Sequence, residues 1–363
     1  MTVRRALRIL LVAPDLSENS LGRAYALWLL IKQLGWTATV VSVRGREIWA
    51  PLRSGAFADC CRLIPDGPDQ QQQLADLSRA VDLMIAVKPR PESMQRVLEL
   101  AERTGTRYLV DLDDPDFDGP LSVGRPVRQV AKFMIKHRQM QDLLRMRRLY
   151  RTVPAERRIV SNPVLQARYG GTVIPHVRAV IAPGAEHSSR KPSVCFVGTA
   201  RRHKGIGLLR EAVAALADRG YRLVITDDAP GDAQSWEDWV GPTSMSAGLQ
   251  LVAGSDIVVL PSADDPFSRG QLPVKLVDAM MLGRAIAVSD VEPMPWALAG
   301  SGRVLPEASA TAVTAVLAEF ADPALRRQLG RRARQRFLDR FSVEANTEIF
   351  AAVCLRAVDR VAV

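Results

Sequence analysis

Cysteine is scarce: the 363 residues hold four, Cys60, Cys61, Cys195 and Cys354. Two are adjacent and the others stand far apart, so there is no CxxC pair, no zinc-ligand spacing and no sign of a disulfide framework. They read as reduced thiols of a cytosolic protein. Long apolar runs are missing too, none approaching the roughly 20 residues of a membrane span. The apolar stretch 6–13 is short and runs into Pro14 and Asp15 without a small-residue cleavage site. It reads as a first buried strand rather than a secretion signal. The loop behind it, 15–22, lacks GxGxxG, so the dinucleotide fingerprint is absent. No helix-turn-helix, zinc or RNA-binding signature occurs, and nucleic acid is not an expected partner.

What is present suits an α/β protein. The hydrophobic fraction is 47%, enough for sizeable cores. The length fits two domains. The net charge of +10 suits an anionic partner, whether a nucleoside diphosphate, an anionic membrane or nucleic acid, and does not choose among them. The run 6–13, a helix from about Arg23 to Leu34 and the run 37–43 make one βαβ unit. Gly22, near the start of that helix, either admits a ligand phosphate or is a plain turn glycine.

Residues 80–87 and 107–114 predict two more buried strands. The second ends in Asp111, Asp113, Asp114, Asp116 and Asp118. Carboxylates at a strand's C-terminal end stand where α/β folds place ligands. A metal site, the DxD of a phosphoryl-transfer phosphatase and a polar loop lining a cleft all fit this pattern; Asp111 and Asp113 are the candidate cleft residues. Residues 125–151 are the most basic stretch, with apolar residues interleaved at helical spacing. This fits a helix lying on an anionic membrane or the solvated side of a domain helix. A Pro/Gly/Ser-rich stretch at 182–192 is the best linker, and His176 and His187 read as polar linker residues.

A second α/β pattern begins at Ser193. A strand runs into Gly198, then a cationic loop leads to a helix near Ile206, which makes a candidate anion pocket. Further on, Pro273 starts a short helix and Gly283 ends it, before the apolar run 285–288. Lys275 and Asp278 lie three apart on one face near the helix start. A cation, a carboxylate and helix-end N–H groups together suit the phosphates and ribose diol of a sugar nucleotide.

Several of these segments resemble group 1 glycosyltransferases, the retaining GT-B enzymes. Val197-Gly198-Thr199 with Lys204-Gly205 is similar to their VGR…KG segment. Residues 256–262 are similar to their aDv.vlPS strand, 273–283 to P.KL.EAMA.G, and 174–176 to the IPNG linker. The resemblance is specific across 194–341 and diffuse before 158. It implies two facing Rossmann-like domains with an interdomain cleft: an acceptor domain at 1–178, a linker at 179–192 and a sugar-nucleotide domain at 193–340. A C-terminal helix, 341–363, would cross back to the first domain.

The resemblance also assigns roles. Lys204 would hold the diphosphate, with Lys275 near it, and Asp278 stands where the family has the glutamate of its ribose contact. Gly198 would let backbone approach the phosphates, and Gly241 would border the base. Gln271 and Leu272 would line the donor. Two positions depart from the pattern. The family's arginine after the first glycine is Thr199 here, leaving Arg201 or Arg202 to supply that charge. The first glutamate of the E-x7-E pair falls on Gly270, so Asp264 or Asp265 would have to serve at the sugar. The implied activity is retaining transfer from a nucleoside-diphosphate sugar to a glycan, lipid-linked or small-molecule acceptor, with no metal or cofactor. A binding protein that kept the fold and lost the chemistry is the alternative. The expected location is cytoplasmic, with peripheral contact at the inner face of the membrane through 125–151.

Overall fold

The computed structural model describes residues 5–118, 130–198 and 204–359, and side chains except those of 130–139. The chain divides into two compact units, one of 1–177 with 346–363 and one of 178–345. Each is built on a parallel sheet.

In the first unit the strands are β1 (Arg8–Val12), β2 (Thr37–Ser42), β3 (Cys61–Leu63), β4 (Leu83–Val87), β5 (Arg107–Leu112), β6 (Arg158–Val160) and β7 (Thr172–Val173). They lie in the order β3-β2-β1-β4-β5-β6-β7, all parallel. β4 is buried along its whole length, as a strand covered on both faces must be. Helices cover the sheet with one apolar side each. In the helix Val130–Thr152, Leu143, Met146 and Tyr150 enter the core with Val153 just beyond it, while Arg145, Arg148 and Arg151 are exposed. From Met140 onward the apolar side of this basic helix is therefore packed in the core and its arginines face outward. Arg125 and Arg128 lie outside the described residues.

The second unit holds β8 (Ser193–Phe196), β9 (Arg222–Ile225), β10 (Glu237–Trp239), β11 (Ile257–Leu260), β12 (Ala285–Ser289) and β13 (Arg303–Leu305). Their order is β10-β9-β8-β11-β12-β13, again all parallel. Segment 179–192 is packed onto this unit. The Gly184 N–H donates to the Leu282 carbonyl at 3.0 Å, and the Ala185 N–H to that of Ala253 at 2.8 Å. His187 is not a solvated linker residue. It is buried, with Nδ1 3.3 Å from Asp256 and Nε2 3.0 Å from the Gly283 carbonyl. His176 is likewise buried, in the first unit.

The helix Pro323–Arg340 buries Leu329, Ala333 and Phe337 and exposes arginines. Ser342 then caps the last helix, Val343–Asp359, by accepting the Ala345 N–H at 3.1 Å. From Asn346 on, that helix groups with the first unit. Among the described residues, no helix is long and apolar enough to cross a membrane.

Candidate functional site

The strand order of the second unit sets the site. β8 and β11 are neighbours, yet the chain leaves β8 toward β9 and β11 toward β12. Loops that part in this way open a crevice at the C-terminal ends of the strands. Gly198 follows β8 with φ +103°, and its N–H donates to Thr226 Oγ1 at 2.5 Å. Gly205 has φ +71°, and a Cβ there would lie 2.0 Å from the Pro261 carbonyl oxygen at the end of β11. Only glycine fits so close a backbone contact in the left-handed region. The helix Ile206–Ala214 starts immediately behind it. Thr199, Arg201 and Arg202 lie outside the described residues.

The helix Val274–Met281 brings Lys275 to the same place. Its Nζ sits 4.3 Å from the centre of the Phe196 ring, and a Cβ on Gly198 would come within 2.9 Å of it. Although Lys275 is only partly covered as a residue, its amine end is packed between these groups. Burial there, with the charge of Lys204 added, pushes its pKa down to about 7. Lys204 and Lys275 thus meet at the end of β8, where an anion would relieve both desolvation and mutual repulsion.

Asp278, one turn further on, is already engaged. Arg178 Nε donates to its Oδ1 at 2.7 Å, and both side chains are mostly buried. Arg178 was not among the residues read from the sequence. It stands two residues after the 174–176 motif, but no spacing rule links it to a carboxylate 100 positions away.

Gly270, expected at the sugar, is buried with φ +104°, its N–H bound to the Glu292 carbonyl at 2.8 Å. The backbone there favours glycine over any carboxylate-bearing residue. Asp264 is exposed and paired with Arg269 at 2.5 Å, which holds its carboxyl below the usual range. Asp265 Oδ1 accepts the N–H groups of Phe267 and Ser268. The side chain of Leu272 is in the core, leaving only its backbone for a ligand, and Gln271 beside it is half-buried. Gly241 ends β10 with φ +72°.

In the first unit, Gly22 falls in the first turn of the helix Leu21–Gln33, where a Cβ would touch Trp49 at an ordinary 3.6 Å. The acidic cluster after β5 is neither a solvated run nor a row of free ligands. Asp111 is fully buried in a forked pair with Arg23, whose nitrogens lie 2.7–3.1 Å from both oxygens. Asp113 and Asp114 hold Lys88 at 2.9 and 2.5 Å, and Asp116 holds Arg90 at 2.6 Å. Burial opposes the Lys88 charge, but Asp113 and Asp114 outweigh it and keep the ammonium above its usual range. Burial moves Asp116 up to about 6 even with Lys88 and Arg90 beside it. Among the described residues no group of three or more His, Cys, Asp or Glu could hold a metal. Protein cations thus pair with the carboxylates that a metal or phosphatase reading would draw on.

Residues 191–322 match the family model described as glycosyl transferases group 1. No curated protein sequence matches the chain. Among solved structures, the chain is similar to Anabaena Alr3699/HepE in complex with UDP-glucose, at 13% identity and TM-score 0.72, over 96% of this chain and 100% of that one. It is similar to sucrose-phosphate synthase from Thermosynechococcus elongatus, at 17% identity and TM-score 0.65, over 97% of each chain. A glycosyltransferase from Rickettsia africae matches at 13% identity and TM-score 0.63, over 99% of this chain and 100% of that one. Residues 191–322 are thus similar to group 1 glycosyltransferases, in a chain with the GT-B fold of such enzymes.

Proposed function

We propose that the protein transfers a sugar, with retention of configuration, from a nucleoside-diphosphate sugar to an acceptor hydroxyl. The observation that carries this reading is the Lys275 amine packed beside Gly198, at the switch point of the sheet and next to Lys204. The hard step is departure of the nucleoside diphosphate from the anomeric carbon. Negative charge grows on the leaving phosphate, and fixed cations with backbone N–H groups lower the barrier. Lys204, Lys275 and Arg201 or Arg202 supply that charge in place of a metal. Gly198 lets the backbone approach, Asp278 reads the ribose, and Gly241 borders the base. The leaving phosphate itself takes the acceptor proton, so no protein nucleophile is needed. The exposed arginines 145, 148 and 151 suit a lipid-linked acceptor presented at an anionic membrane.

The test is transfer from labelled sugar nucleotides, with and without acceptor and chelator. Lys204→Ala is expected to lower the rate roughly 10²–10³-fold, and chelator to leave it unchanged. Undiminished transfer by the variant would remove the phosphate role of Lys204. A second reading, donor binding without turnover, is favoured by a specific observation: Gly270 carries no carboxylate, and Asp264, the candidate substitute, is tied to Arg269. It predicts tight nucleotide binding with neither transfer nor donor hydrolysis.

A further inference from the structure

We infer that Arg178 is the positioning residue of the donor site, fixing Asp278 so that one carboxylate oxygen is committed to the protein and the other is turned to a single hydroxyl of the donor ribose. The inference rests on the donor-site reading above.

Three observations support it. First, Arg178 is not a loose surface arm. Its backbone is clamped on both sides: its N–H donates to the Phe341 carbonyl and its carbonyl accepts the Val343 N–H, each at 3.0 Å, in a bridge to Ser342. Its side chain is 9% exposed. Second, the contact with Asp278 is uneven. Nε reaches Oδ1 at 2.7 Å, a short charge-assisted bond, whereas the terminal nitrogen is 3.5 Å from Oδ2, at the limit of hydrogen bonding. Oδ2 therefore keeps its accepting capacity and Oδ1 has spent much of its own. Third, Asp278 lies one helical turn from Lys275 on the same short helix, so its distance from the phosphate end of the site is set by the helix and not by a loop. An aspartate also reaches less far than a glutamate. A short carboxylate held at one oxygen suits one ribose hydroxyl better than the chelation of a full diol.

The experiment measures dissociation constants for the tightest binder among UDP, ADP and GDP, for its 2′-deoxy and 3′-deoxy forms and for inorganic pyrophosphate. The proteins are the wild type, Arg178→Met, Arg178→Lys and Asp278→Asn. The wild type is expected to lose about tenfold or more on removal of one hydroxyl and little on removal of the other, as for one hydrogen bond to a charged group. In Arg178→Met this discrimination should collapse to within about threefold, with pyrophosphate binding unchanged. Asp278→Asn should do the same, and Arg178→Lys should keep part of it. If Arg178→Met weakens every ligand equally, pyrophosphate included, or keeps the full discrimination, Arg178 has only a structural role and the inference is overturned. If Arg178→Met does not fold, Arg178→Lys decides: undiminished discrimination overturns the inference. A wild type that binds pyrophosphate and nucleotide without reading either hydroxyl overturns the inference and leaves the donor site standing. A wild type that binds none of them removes both.

Discussion

Lys275→Met is expected to raise the melting temperature of the unliganded protein at pH 6 while removing the stabilisation that nucleoside diphosphates give the wild type. The reason lies in the sign of the Lys275 shift. Its pKa falls from 10.5 in the unfolded chain to about 7 in the fold, chiefly through burial and then through Lys204. Folding therefore disfavours the charged amine. The penalty is fully present below pH 7, shrinks as pH rises above 7 and is gone near 10.5. Methionine keeps the unbranched shape over Phe196 without the charge. Because Lys275 retains some exposure, the gain at pH 6 is on the order of 2 kcal/mol, well short of the full linkage value. It should vanish by about pH 10. Melting curves at several pH values, with and without UDP, check both halves. A lower melting temperature at pH 6, or an unchanged response to nucleotide, would contradict the account.

The second large effect belongs to the first unit. Asp111→Asn should destabilise it by about 3–5 kcal/mol, because the variant leaves the Arg23 guanidinium buried without its counter-charge. Both side chains are 0% exposed, so water cannot take over. Arg23 also donates to the carbonyls of Ile174 and Pro175, at 2.8 and 2.9 Å. The loss should therefore extend to the segment after β7. The double variant Arg23→Met/Asp111→Leu should recover much of the stability, since an apolar pair avoids burying a lone charge. Chemical denaturation followed by circular dichroism measures both. A single variant within about 1 kcal/mol of wild type would show that the pair is not the clamp described here.

The central strands of the two parallel sheets were legible in the sequence because buried parallel strands are short continuous apolar runs, as at 80–87 and 285–288, whereas the short edge strands β3, β10 and β13 were not. The loop-helix pieces around Gly198, Lys275 and Asp278 were legible for a similar reason: their chemistry is local, within one turn or one loop. What escaped was pairing over long separations. Five acids between 111 and 118 could be seen, but not the cations that meet them, which come from Arg23, Lys88, Arg90 and Arg168 on other elements. Arg178 escaped for the same reason. His187 reads as a polar linker residue because it sits in a Pro/Gly/Ser-rich stretch, whereas Asp256 and the Gly283 carbonyl draw it inside. The absence of a carboxylate at Gly270 was visible; its positive φ was not.

The central claim is that Lys204 and Lys275 form the diphosphate site of the second unit. A nucleoside diphosphate bound there would draw a proton onto Lys275, whose pKa in the unliganded site is about 7. The direct test is calorimetric titration of the wild type with UDP, ADP and GDP at pH 7.5, in two buffers of different ionisation enthalpy. The account predicts binding of at least one of them, with net proton uptake that disappears in Lys275→Met. Binding with no proton exchange and no dependence on Lys275 or Lys204, or no binding by any of the three, would contradict it.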